Sequence, residues 1–122
     1  MGFHPVNLGL RFLLEMAGLL GMAYWGWAQH EGAARFLWAI GLPLAAAVIW
    51  SVFNVPGDKS RSGKAPVPVP GIVRLILELA FFALAAWAIF TAGLPTAGYL
   101  FAGLVVIHYL ISYDRIAWLL KH

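Results

Sequence analysis

Four long apolar stretches divide the chain, at residues 7–28, 34–54, 71–92 and 95–119. Each is close to the roughly 20 residues that a helix, rising about 1.5 Å per residue, needs to cross about 30 Å of hydrocarbon. Backbone polar groups in lipid must be paired internally, and the sequence has no alternating segments typical of a membrane β-barrel. The pattern therefore predicts four membrane-spanning helices.

The connections between these stretches predict how the helices are arranged. Residues 29–32 and 92–95 are short turns, so the first two and the last two helices should form antiparallel hairpins. Residues 55–70 differ, because their prolines, glycines and charges rule out a continuing helix. We therefore predict an all-α fold, an integral membrane four-helix bundle of two tandem helical hairpins, as a single transmembrane domain over residues 1–122.

Basic residues set the predicted orientation. Lys59, Arg61 and Lys64 in the long loop and Lys121 near the end share one side, whereas the opposite side has only Arg35. Loops rich in Lys and Arg remain in the cytoplasm, so both termini and loop 55–70 are predicted to be cytoplasmic. The three loop cations should also attract anionic headgroups, at about 1 kcal/mol each.

The tryptophans fit this orientation as interface anchors, since their rings prefer the depth of the headgroups. Four of them should lie near the outer interface, namely Trp25, Trp27, Trp38 and Trp87. Trp50 and Trp118 should lie near the inner one. No binding role is predicted for any of the six.

Composition narrows the functional classes. Hydrophobic residues make up 62% of the chain and charged residues 11%, which is too apolar for a water-soluble core. There is no cysteine, which excludes disulfides and thiolate sites, and the basic residues are too dispersed to bind nucleic acid. The four histidines are scattered and no Ser/His/Asp set is present. We therefore predict no enzymatic activity, no metal and no cofactor.

One charged motif occurs twice, since Arg11-x-x-x-Glu15 returns 63 residues later as Arg74-x-x-x-Glu78. The first and third helices run in the same direction, so the motif predicts a two-plus-two repeat about an axis along the membrane normal. An Arg that precedes a Glu near a helix N-terminus is poorly placed for pairing within that helix. We therefore predict the cross-pairs Arg11 with Glu78 and Arg74 with Glu15, as a clamp between the hairpins.

Further polar residues fall at the same depth of the predicted bundle. His108, Ser112 and Arg115 share one helix face by their i, i+4, i+7 spacing. Ionisable residues within a span are costly and mark a structural or functional site by default. The predicted polar layer, structural or ligand-binding, comprises Arg11, Glu15, Asn54, Arg74, Glu78, His108, Ser112, Asp114 and Arg115.

Several of these features together resemble the YrdB family, a bacterial domain of unknown function. The resemblance rests on the two Arg-x-x-x-Glu motifs, the Val55-Pro56-Gly57-Asp58 turn and the Arg61-Ser62-Gly63-Lys64-Ala65-Pro66 stretch, and it covers nearly the whole chain. It implies a compact four-span protein of the bacterial inner membrane in which these motifs are signature features. It implies no substrate.

Charge balance favours a non-enzymatic accessory or partner-binding membrane protein. In the predicted polar layer, two glutamates and one aspartate nearly cancel the charges of the three arginines. A cation or proton carrier, by contrast, usually keeps one acid without a compensating charge so that it can titrate. The expected partners are anionic membrane lipids and either a second copy of the chain or another membrane protein, but no nucleic acid.

Two alternatives remain open. One is a small proton-coupled or solute transporter that uses Glu15, Glu78 and His108. Four short spans with a glutamate in the first resemble the small multidrug-resistance transporters, although Arg11 and the repeated motif depart from that pattern. The other is an anionic-lipid-binding membrane organiser that uses the three loop cations.

Overall fold

A computed structural model of the protein describes residues 4–58 and 65–122. In this part of the chain the backbone forms five helices and two very short strands, which confirms the all-α prediction. In chain order they are α1 (Pro5–Ala28), α2 (Ala33–Val52), β1 (Phe53–Asn54), β2 (Val67–Pro68), α3 (Gly71–Thr91), α4 (Pro95–Ile111) and α5 (Tyr113–Lys121).

The first three helices agree with the predicted stretches to within two residues at each end. Each is long and apolar enough to cross a membrane, and α4 with α5 would make a fourth span if the bent pair is counted as one. The described residues thus contain three to four apolar helices compatible with a membrane protein.

The fourth predicted helix, residues 95–119, is not continuous, so the prediction of one unbroken helix is wrong, while the fourth span stays a prediction. Helix α4 ends at Ile111, α5 begins at Tyr113, and their axes differ by 67°. The break falls at Ser112, whose hydroxyl donates a 2.7 Å hydrogen bond to the carbonyl oxygen of His108. Such a local bond competes with helix geometry and often bends a helix. Because of the bend, α5 packs against α3.

Helix packing centres on α1 and α3. Helix α1 packs against α2 and α3, and α3 packs against α4 and α5, whereas α2 barely touches α3. Trp50 is the one buried residue of α2. The buried apolar core consists of Leu14, Met22, Trp50, Phe81, Phe82, Ala85, Ile89, Phe101 and Tyr109. The broken helix, α4 with α5, has no counterpart in α2, which is continuous. The two-plus-two repeat stays a prediction.

The ends of loop 55–70 are brought together by a small parallel pairing. Strand β1 pairs with β2 in the register Phe53 to Val67 and Asn54 to Pro68. A turn follows β1, closed by a 3.2 Å hydrogen bond from the amide of Asp58 to the carbonyl of Val55. This turn carries Asp58 back into the protein. The loop cations Lys59, Arg61 and Lys64 lie outside the described residues.

Candidate functional site: a buried ionic cluster

Six charged side chains meet where α2 ends and α3 begins, and all are buried, with at most 9% of any residue exposed. We call them the ionic cluster: Arg11, Glu15, Asp58, Arg74, Glu78 and Arg115. Helix α1 supplies two of them, α3 supplies two, and the loop and α5 supply one each. Three guanidinium groups thus face three carboxylates, and their charges cancel when all are ionised.

Glu78 is the centre of the cluster and has no exposed surface. One of its oxygens lies 2.7 Å from Arg11 Nη2, 2.8 Å from Arg74 Nε and 2.7 Å from Arg115 Nη2. The other accepts hydrogen bonds from Arg115 Nη1 at 2.8 Å and the Tyr109 hydroxyl at 2.9 Å. A single carboxylate therefore joins α1, α3, α4 and α5.

One half of the predicted cross-pairing, Arg11 with Glu78, is confirmed. The within-helix pairs that the spacing disfavoured are present as well, Arg11 with Glu15 at 3.2 Å and Arg74 with Glu78 at 2.8 Å. A guanidinium has five N–H donors, so one arginine can serve its own helix and a neighbour at the same time. The other cross-pair, Arg74 with Glu15, stays a prediction.

Trp50 packs against the ionic cluster, so its ring faces the interior of the protein and does not point outward as an interface anchor would. Only 8% of it is exposed, and its indole N–H donates to Glu15 Oε1 at 3.0 Å. The guanidinium carbons of Arg74 and Arg11 lie 4.5 Å and 5.2 Å from the ring centre, within cation–π range. The ring is turned inward because the arginines and Glu15 bind both its face and its N–H.

Arg74 also closes the end of α2. Its Nη1 donates to the carbonyl oxygens of Trp50 at 2.7 Å and Phe53 at 2.9 Å. The last carbonyls of a helix have no partner within the helix, and burying them without one is costly. The same arginine therefore satisfies the backbone of α2 and a carboxylate of α3.

Asp58 fixes the loop to α5. It is fully buried, and Arg115 binds both of its oxygens, through Nη2 at 2.7 Å and Nε at 3.4 Å. Since Arg115 also binds Glu78, it bridges the loop to α3. The predicted polar layer contained Asp114 and omitted Asp58. Asp114 lies half-buried in the first turn of α5.

A chain of neutral polar groups lies beside the cluster and connects α1 to α4. The Ser112 hydroxyl donates its hydrogen to the His108 carbonyl. Its oxygen is therefore left to accept the 2.7 Å hydrogen bond from Asn7 Nδ2. The Asn7 amide oxygen then faces His108 Nδ1 at 3.0 Å. Because that oxygen can only accept a hydrogen bond, His108 Nδ1 must carry a proton. Among the described residues no group bonds to the buried His108 Nε2. Asn7 was missed by the sequence analysis.

Asn54, the remaining member of the predicted layer, is buried in β1, and its amide donates to the Ser51 carbonyl at 2.6 Å. Ser51 itself is exposed, and its hydroxyl donates to the Ala47 carbonyl at 2.8 Å. Within residues 4–58 and 65–122, no three or more His, Asp or Glu side chains are grouped to hold a metal ion.

The fold and the cluster define a small all-helical protein, with apolar helices compatible with membrane insertion and a charge-balanced ionic core. The chain belongs to the family described as "Protein of unknown function (DUF2568)", whose model matches residues 9–106. It is 41% identical over 118 residues to the Uncharacterized protein YrdB of Bacillus subtilis (strain 168), covering 97% of this chain and 96% of that protein. The family expected from the motifs is thus confirmed.

A second similarity is shorter. The chain is 30% identical over 84 residues to the Mitochondrial 2-oxodicarboxylate carrier of Mus musculus, which covers 61% of this chain and 28% of the carrier. The Rattus norvegicus protein of the same name is 29% identical over 83 residues, with coverage of 60% and 28%. The chain therefore spans little more than a quarter of these carriers. No solved structure matches it.

Proposed function

We propose that the protein is a non-enzymatic accessory protein of the bacterial cytoplasmic membrane, in which the ionic cluster is a structural clamp at the cytoplasmic face. The observation that carries this proposal is the environment of Glu78. Three guanidinium groups and the Tyr109 hydroxyl contact its two oxygens. A carboxylate has about four acceptor sites, so Glu78 has no capacity left for a transported proton or cation.

The clamp would also be joined directly to the basic loop, which would contact lipids or a partner. Asp58, which Arg115 holds inside the protein, directly precedes the stretch that contains Lys59, Arg61 and Lys64. The three cations are expected on the cytoplasmic side of the membrane, where loops rich in Lys and Arg remain. There they would meet anionic headgroups or an acidic segment of a partner membrane protein. The amphipathic α5, bent away from α4, would lie along the same interface.

The proposed orientation can be tested by cysteine labelling, because the chain has no native cysteine. A membrane-impermeant maleimide is expected to label Glu31→Cys in intact cells. It should label Ser62→Cys only after the membrane is permeabilised, since α2 separates the two sites. The reverse pattern would overturn the proposed orientation, and labelling of both sites in intact cells would exclude α2 as a span.

A transporter is the second candidate, favoured by the position of Glu15 at the wall of an open cavity. The partial similarity to proteins named mitochondrial 2-oxodicarboxylate carriers also favours a transporter. Against it, Glu15 already accepts bonds from Arg11 and Trp50.

Proton and 2-oxodicarboxylate flux into proteoliposomes separates the two candidates. The clamp proposal expects flux equal to that of protein-free liposomes at every pH gradient applied. A flux above that level that Glu15→Gln abolishes, in a variant that still unfolds cooperatively, would establish the transporter instead.

A further inference from the structure

His108 and Arg11 each keep one buried nitrogen that forms no hydrogen bond with the described residues. His108 Nδ1 donates to Asn7, which leaves Nε2 of the neutral ring as an acceptor without a donor. Arg11 directs Nε to Glu15 and Nη2 to Glu78, and in the same part of the chain nothing accepts from its Nη1. Only 1% of His108 and 2% of Arg11 is exposed, so bulk solvent does not satisfy either group.

The two side chains lie at the same depth on neighbouring helices. Helices α1 and α4 are in contact, and Asn7 near the start of α1 bonds to Ser112 just after the end of α4, so the two helices run in opposite directions. One turn further into the bundle, about 6 Å along each axis, lie Arg11 on α1 and His108 on α4. The two are therefore neighbours across the interface of α1 and α4.

The unused nitrogens are complementary in hydrogen bonding. Arg11 Nη1 can only donate, and His108 Nε2, whose ring has its proton on Nδ1, can only accept. Burying either group without a partner is unfavourable, and more so for the charged donor. A molecule that accepts from Arg11 and donates to His108 would satisfy both.

Charge excludes ions at this position. An anion could accept from Arg11 but has no hydrogen to donate to His108, and a metal ion bound to His108 Nε2 would be repelled by the guanidinium. Either ion would also disturb a cluster whose three positive and three negative charges cancel.

Size restricts the molecule further. The two helices are held together next to the site by the contacts of Asn7 with Ser112 at 2.7 Å and with His108 at 3.0 Å. Neither Arg11 nor His108 lines any of the three open cavities along α2. We propose that one water molecule is bound between Arg11 Nη1 and His108 Nε2, accepting from the first and donating to the second.

This water joins the neutral chain to the ionic cluster. The hydrogen-bonded chain that ends at His108 continues through the water to Arg11 and from there to Glu78. Helix α4, which reaches Glu78 directly through Tyr109, thereby gains a second connection. The water also keeps His108 as a neutral acceptor, since a proton on Nε2 would add a fourth positive charge beside Arg11.

Solid-state NMR of the full chain in lipid bilayers tests this proposal with the site itself unchanged. The chain carries His4→Gln, His30→Gln and His122→Gln, so that an isotope-labelled His108 is its only histidine. All three replaced residues lie outside the ionic cluster, and none is buried. We expect a neutral ring with its proton on Nδ1, and transfer of magnetisation from water to the hydrogen on Cδ2, which is next to Nε2.

Removing the donor should release the water. Arg11→Met keeps an unbranched side chain without N–H groups, and the transfer is expected to fall about tenfold. Arg35→Met is the matched control, because Arg35 binds Trp27 and lies outside the cluster. In that variant the transfer should be unchanged.

Three results would overturn the proposal. A proton on Nε2 would remove the acceptor, and no transfer from water to the Cδ2 hydrogen would show that the site is dry. Transfer of full strength in Arg11→Met would place the water away from Arg11. None of these results bears on the clamp, which is tested by unfolding and by flux.

Discussion

Replacing Glu78 with Gln is expected to lower the free energy of unfolding by about 3–5 kcal/mol, the usual cost of removing one partner from a buried ionic group. Three guanidinium groups contact this carboxylate, and Glu78 has no exposed surface. The amide is nearly the same size, so the loss would come from charge and hydrogen bonding rather than from a cavity. The measurement is SDS-induced unfolding in mixed micelles, followed by circular dichroism.

Glu15→Gln is the matched control for that experiment. Glu15 belongs to the same cluster and has the same side chain, but it keeps 9% exposure and borders an open cavity. Its replacement should cost distinctly less, about 1–2 kcal/mol. Equal effects of the two substitutions would contradict the central position of Glu78.

Gly71→Ala should be nearly as damaging, with an expected loss of about 3 kcal/mol or more, at the upper end of what overpacking costs. A Cβ at this first residue of α3 would overlap the carbonyl oxygen of Leu119 and lie 2.7 Å from its Cα. These are backbone atoms of a residue with no exposed surface, so α5 would have to move. Arg115 would then be displaced from Asp58 and Glu78.

Gly103→Ala is the control for this substitution, and thermal unfolding in detergent is the measurement. Nothing lies within 4 Å of a Cβ built at Gly103 in α4. There the change should stabilise the protein by up to about 1 kcal/mol through helix propensity. If Gly71→Ala behaved like Gly103→Ala, the close approach of α5 to α3 would be contradicted.

Much of the fold follows from the sequence, because apolar length places the ends of α1, α2 and α3 to within two residues. The break after α4 does not follow in the same way. Residues 95–119 are apolar enough to be one span, and the bend is accompanied by the local bond of Ser112 to His108 and by tertiary contacts of Ser112 with Asn7 and of Arg115 with Asp58. Hydropathy carries no information about those contacts.

The ionic cluster was predictable in part. The repeated Arg-x-x-x-Glu motif correctly indicated that Arg11 reaches Glu78. Asn7 could also have been found, since it precedes Arg11 by one turn and Glu15 by two and therefore shares their helix face.

Asp58 and Trp50 could not have been found in this way. Asp58 lies in a loop, where no periodicity indicates which side chains turn inward. Trp50 lies at a helix end, where an interface anchor and a buried ring give the same sequence pattern. Only the cation–π and hydrogen-bonding contacts of the folded protein separate the two cases.

The central claim is that Glu78 and the arginines of neighbouring helices stabilise the bundle as one coupled unit. A double-mutant cycle between Arg11→Gln and Glu78→Gln, measured as unfolding free energies in mixed micelles, tests it most directly. Because Arg11 and Glu78 are in contact between two helices, we expect a coupling energy of about 1–3 kcal/mol, with the double variant less damaged than the sum of the single variants. Effects that add to within about 0.5 kcal/mol would contradict the account.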